Sequence, residues 1–191
     1  MASITKIFKN VRIIWRNFSG TPGPYNQPIG TDSHGNPVGK RTFNIVLTPE
    51  MAEDLRNVEL MGDGGKMIKG CNVKTRLPQN GDGDPLYTLK VQFGKYPPEA
   101  IWRVIPKGRM ALNIDNVGVL DHEAIDHADV KVVLSTYQNG TNIGISAYLN
   151  KLIAYIQEDD FDSDEAFGDI PVIGTGAEDF GSEPAEDDLP F

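Results

Sequence analysis

Cysteine is nearly absent from this 191-residue chain; Cys71 is the only one. A lone thiol excludes an intrachain disulfide and a cysteine-rich zinc cage, and it fits a reducing compartment. Histidine is scarce too, limited to His34, His122 and His127. No apolar run approaches the roughly 20 residues that a membrane-spanning helix needs. The opening MASITKIFKN has no long apolar stretch, so neither a secretory leader nor a membrane anchor is expected. Basic residues vanish after Lys151. The formal net charge of −9 therefore hides a division. Residues 1–157 hold all 18 Lys and Arg against 14 acids, a net of +4, while residues 158–191 hold 13 acids and no base. Like charges in a block repel and oppose compaction, which predicts a mildly basic folded body, 1–157, and a disordered acidic interaction tail, 158–191.

What is plentiful is Gly (20) and Pro (13), the residues of turns. Apolar alternation with period 2 runs through NVRIIWRNF (Asn10–Phe18) and KRTFNIVL (Lys40–Leu47). Further strand-capable runs lie at Asn72–Leu77, Leu86–Lys95, Met110–Ile114, Val130–Tyr137 and Ile143–Ile156, the last equally compatible with some helix. The Gly/Pro/Asn-rich segment Ser19–Gly39 is long for a loop in a compact domain, and such loops are usually functional. QNGDGDP reads as a hairpin turn. One helix is marked by Thr48 as N-cap, Pro49 at the first position, and Met51, Leu55 and Val58 on one apolar face. Six or seven strands, one helix and no strand–helix alternation favour a mainly β body, a small antiparallel barrel or sandwich.

Catalytic and metal chemistry find little support. LDHEAIDH offers Asp121, His122, Glu123, Asp126 and His127 as ligands, but its two histidines are five apart and do not stack on one helix face. A solvated turn is the preferred reading, with a metal-dependent nucleic-acid enzyme as a minor alternative. GDGGK lacks the glycine spacing and the following Ser/Thr of a phosphate-binding loop. No nucleophile–base signature, cofactor motif or metal site is expected, and the chain is not read as an enzyme.

Binding chemistry is better represented. Cations lie beside rings at Arg12/Trp15/Arg16, at Lys40/Arg41/Phe43, at Tyr87/Lys90/Phe93/Lys95/Tyr96 and at Trp102/Arg103/Lys107/Arg109. Single strands need both, cations for phosphates and flat faces for bases. Alternation places Arg12 with Arg16, and Lys74 with Arg76, opposite apolar neighbours, and sets Lys90 against Leu89 and Val91. Three strands could thus present cations on one face of a curved sheet. Trp15, Phe43 and Phe93 fall on apolar faces and are expected in the core. Tyr25, Tyr96, Trp102 and Tyr137 are the better stacking platforms.

The tail ends EDDLPF, which resembles the acidic C-terminal tip of bacterial single-stranded DNA-binding proteins. That resemblance implies that Asp187, Asp188, Leu189, Pro190 and Phe191 dock partner proteins, with Phe191 in an apolar pocket and the acids on a basic rim. The body, through KRTFNIVL and NGTNIGISAYLN (Asn139–Asn150), resembles the single-stranded DNA-binding proteins of tailed bacteriophages. The long Ser19–Gly39 loop and the leucine of the tip depart from that pattern. The resemblance implies a five-stranded antiparallel OB-fold barrel with one helix and extra strands or loops, followed by the acidic tail. It also implies sequence-independent binding of single-stranded DNA in phage replication, recombination and repair, in the cytoplasm of the infected bacterial cell. Partners would be single-stranded DNA and replication or recombination proteins, with no membrane; a homodimer stays open. The expected DNA-contacting residues are Arg12, Arg16, Lys40, Arg41, Lys74, Arg76, Lys90, Tyr96, Trp102, Arg103, Lys107, Arg109 and Tyr137. The competing reading is a protein-binding β-domain whose acidic tail mimics nucleic acid.

Overall fold

The structure, a computed structural model, describes residues 2–62, 64–78, 82–93 and 98–157. Tyr96 and the whole acidic segment 158–191, including Asp187, Asp188, Leu189, Pro190 and Phe191, lie outside the described residues. In chain order the strands are β1 (Ser3–Val11), β2 (Ile13–Asn17), β3 (Gly30–Thr31), β4 (Pro37–Val38), β5 (Arg41–Leu47), β6 (Glu59–Met61) and β7 (Met67–Lys69). They continue with β8 (Val73–Arg76), β9 (Leu86–Phe93), β10 (Ala100–Ile105), β11 (Gly108–Leu112), β12 (Ile125–Asn139) and β13 (Asn142–Ile156). Among the described residues there is one α-helix, α1 (Pro49–Arg56), and one short 3₁₀ turn at Val117–Asp121. Ile143–Ile156 is strand throughout, because its alternation continues a pairing with β12 that spans both strands.

The main sheet runs β1–β12–β13–β9–β5–β2. Its two ends are consecutive in sequence. β1 and β2 are halves of one strand bent at Arg12, whose carbonyl accepts from the Val46 N–H at 2.9 Å. β1 pairs with β12 and β2 pairs with β5, so the path returns to its start. The circuit is a five-stranded barrel of OB type. It is mixed rather than wholly antiparallel. The tight β12–β13 hairpin leaves the far edge of β13 facing β9, and later β10, in parallel. β8 adds to the outer edge of β9, and β11 to that of β10.

The inward sides form one apolar core. Phe18, Phe43 and Phe93 cluster there, with Phe18 and Phe43 stacked at 5.0 Å between ring centres. Phe43 and Phe93 are thus core residues, as the alternation implies. Trp15 is not. It is 45% exposed, against the expectation that it belongs to the core. The reason is local: Trp15 adopts φ 48° and the β2–β5 register shifts between Ile14 and Asn17. A bulge of this kind re-aims one side chain to the other face.

Helix α1 forms as its caps dictate. Thr48 Oγ1 accepts from Met51 N at 3.2 Å, Pro49 takes the first turn, and Ala52 and Leu55 bury the inner face. The Ser19–Gly39 stretch holds the small β3–β4 hairpin, so it is not structureless. Asn26 fastens it: its side chain donates to the carbonyls of Thr21 and Lys40 and accepts from Lys40 N. Gly39 lies beneath it, where a Cβ would press into the Asn26 side chain and come within 2.9 Å of the Asn26 carbonyl oxygen.

Candidate nucleic-acid interface

Alternation on the barrel wall decides which residues face outward. On β9, Leu89, Val91 and Phe93 are buried inward, which turns Lys90 and Gln92 outward; Thr88 shares their side of the strand but is covered. Register then carries that face across the sheet. Lys90 lies opposite Asn44 of β5, Asn44 opposite Ile14 of β2, and Thr88 opposite Lys74 of β8. Two residues on from Lys74, Arg76 occupies the same side of its strand.

Three lysines converge on this wall. Burial lowers the Lys90 ammonium from the usual lysine range, and the nearby charges of Lys74 and Lys40 push it the same way. Among the described residues none of these three lysines makes an ion pair, and their mutual repulsion is of the kind that an anion would relieve. The Thr88 hydroxyl, buried within the same row, has no hydrogen-bond partner among the described residues. Beside the lysines, the Arg76 guanidinium lies over the Trp15 ring, 4.1 Å from its centre. The exposed indole and its stacked cation give this wall a flat π surface next to its charge.

The other expected contact residues divide by environment. Arg12 is exposed at the β1–β2 bend. Arg16 is held inside the molecule: its Nη1 donates to the carbonyls of Leu120 (3.0 Å) and Glu123 (2.6 Å). Arg41 is half-buried and donates to the Ile114 carbonyl at 3.3 Å, and burial lowers its pKa against the pull of Asp115 and Asp32. Arg103 Nε donates to both carboxylate oxygens of Glu123, at 2.6 and 2.7 Å, and that hydrogen bonding raises the Arg103 pKa. Trp102 is half-buried on β10 with the Arg109 guanidinium over it at 4.9 Å, and Lys107 is exposed at the adjoining turn. Tyr137 is half-exposed near the end of β12, its ring against the face of Gly144. Tyr25 is fully exposed on the loop that Asn26 fastens.

The candidate metal ligands are dispersed into structural roles. Asp121 accepts from the N–H groups of Phe18 and Ser19 at 2.6 and 2.8 Å, Glu123 is taken by Arg103, and His127 meets Asp126 and stacks on Tyr155. Among the described residues no group of three or more His, Cys, Asp or Glu converges on a common point. Cys71 is buried, and burial pushes its thiol up to about 11, which keeps it protonated and unreactive at neutral pH. Within the described residues no helix is long and apolar enough to cross a membrane.

Two features escaped sequence reasoning. Trp15 was hidden by its bulge, which no alternation count reveals. Tyr148 was legible: Ala147 and Leu149 point inward on β13, so Tyr148 points outward, beside Gln92.

The fold defines a mainly β domain whose strand circuit carries cations and an exposed ring on its outer wall. The chain belongs to the family described as "Putative phage ssDNA-binding domain", whose model matches residues 4–188. Two similar solved structures are of the single-stranded DNA-binding protein from bacteriophage Enc34. The C-terminally truncated form is 13% identical with a TM-score of 0.46, over 81% of this chain and 87% of that one. The form in complex with ssDNA is 13% identical with a TM-score of 0.44, over 81% and 88%. No curated protein sequence matches the chain.

Proposed function

We propose that residues 1–157 coat single-stranded DNA without sequence preference, across the outer wall of β2, β5, β8 and β9. The observation that supports this most is the convergence of Lys40, Lys74 and Lys90 on one wall beside the exposed Trp15–Arg76 stack. Phosphates would meet the lysines and Arg76, and a base would stack on the indole. The wall offers charge and a flat ring, which is the chemistry of sequence-tolerant binding. No step of bond making or breaking is assigned to the protein.

The wider role is coating of exposed strands during phage DNA replication, recombination and repair, inside the infected bacterial cell. In this reading the acidic segment 158–191 is a separate interaction tail. Its Asp187, Asp188, Leu189, Pro190 and Phe191 recruit replication or recombination proteins that carry an apolar pocket with a basic rim.

The test is a titration with oligo(dT) followed by tryptophan fluorescence. The proposal expects strong quenching and a log–log salt slope of about −0.7 for each phosphate neutralised. No binding by the full chain or by a form lacking residues 158–191 would contradict it. Removing Phe191 alone should leave oligo(dT) affinity unchanged and abolish capture of replication proteins.

A further inference from the structure

Resting on the single-strand reading above, we infer that the DNA path does not end at the lysine wall but continues across β13 to a second station, the Trp102–Arg109 stack on the β10–β11 hairpin. β9 and β10 run in the same direction along the same edge of β13. Gln92 lies opposite Tyr148, and Trp102 lies opposite Ile153. Ala147, Leu149, Leu152 and Ala154 are buried inward, so a bulge near Asn150 preserves the faces and both Tyr148 and Ile153 point outward. Ile101 is buried opposite Leu152, which turns Trp102 outward as well. Lys90, Tyr148 and Trp102 therefore occupy one continuous outer surface.

The two stations share a construction. Each is a tryptophan with an arginine guanidinium over its ring, at 4.1 Å for Trp15–Arg76 and 4.9 Å for Trp102–Arg109. Each stack has an exposed lysine near it in sequence, Lys74 in the first and Lys107 in the second. Between them, half-exposed Tyr148 supplies an intermediate flat surface. The five steps along β13 from Tyr148 to Ile153 span about 16 Å at ~3.3 Å each. A single short oligonucleotide can fill the first station without reaching the second, and a longer one can engage both. Tethering the second contact through the first makes it intramolecular, so long strands gain affinity and occlude more nucleotides.

The experiment compares oligo(dT) of about 6 and about 16 nucleotides, lengths that bracket the site sizes of OB folds. It uses the full chain, the double variant Lys107→Glu with Arg109→Glu, and Trp102→Ala. Lys107 and Arg109 are exposed, so the double variant keeps its fold, as its melting temperature checks. The inference expects short-oligonucleotide affinity to stay within about twofold. Long-oligonucleotide affinity should fall by roughly 5- to 150-fold, the range for losing one stacked base. The occluded site size should shrink with it. Unchanged long-oligonucleotide binding in the double variant overturns the second station. So does an equal loss for both lengths in a folded variant. Failure of the wild-type chain to bind either length overturns the single-strand reading itself.

Discussion

In the proposed interface Trp15 carries more than its sequence position suggests. Its φ of 48° is unfavourable for a bulky residue, and the conformation leaves a large apolar ring in solvent. Strain and exposure together are tolerable where the ring has a ligand. Replacing Trp15 by Ala should cost on the order of 1–3 kcal/mol of single-strand affinity, with little change in melting temperature, since the ring packs outside the core. Phe43→Ala, at a fully buried ring, should do the reverse: about 3–5 kcal/mol of stability lost, seen as a lower denaturation midpoint. Lys90 adds a pH signature. Its folded pKa lies below the 10.5 of a free lysine, so between the two values the unfolded chain binds more protons. Stability should rise with pH through that window, while DNA affinity falls as the ammonium is lost. Lys90→Met should remove both effects, measured by melting and by oligo(dT) titration from neutral to alkaline pH.

At the scale of elements, local signals were readable and long-range ones were not. The Thr48–Pro49 start of α1, the antiparallel pairing of β8 with β9 and the alternation of β5 and β9 follow from neighbouring residues, and the structure contains them all; residues 79–81 of the QNGDGDP turn lie outside the described residues. Arg16 shows the limit. Its neighbours Arg12 and Trp15 made it look like a phosphate contact, yet it reaches more than a hundred residues along the chain to the carbonyls of Leu120 and Glu123. No periodicity reports such a bond. The same turn is clamped by Asp121, which satisfies two backbone N–H groups where β2 enters the long loop. Asp121→Ala should therefore destabilise the fold by about 1–3 kcal/mol, because it strands those donors. Asp121→Asn should recover only part of that loss, because a neutral carbonyl oxygen accepts more weakly than a carboxylate. Chemical denaturation of the two variants separates these outcomes. LDHEAIDH, which has the residue types of a metal site, is thus a clasp between distant parts of the chain.

For the whole molecule, composition revealed the division of charge but not the closure of the barrel. Strand number and alternation fit a sandwich equally well. What decides is that one strand bends at Arg12 and pairs with β12 on one half and β5 on the other, a pairing between residues far apart in sequence. The division of charge makes its own prediction. Residues 158–191 carry 13 acids, charges of the same sign as phosphate. Removing that segment should raise oligo(dT) affinity at low salt, and the gain should shrink as salt shortens the Debye length from about 30 Å at 0.01 M to about 10 Å at 0.1 M.

The most direct measurement of the central claim is the salt dependence of oligo(dT) binding for the wild-type chain beside a variant with Lys40, Lys74 and Lys90 all changed to Met. If the outer wall of β5, β8 and β9 holds phosphates, the variant stays folded, binds far more weakly, and its log–log slope is shallower by about 0.7 for each lysine that meets a phosphate, about 2 in all. An unchanged slope and affinity in a folded variant would show that the strand runs elsewhere on the molecule.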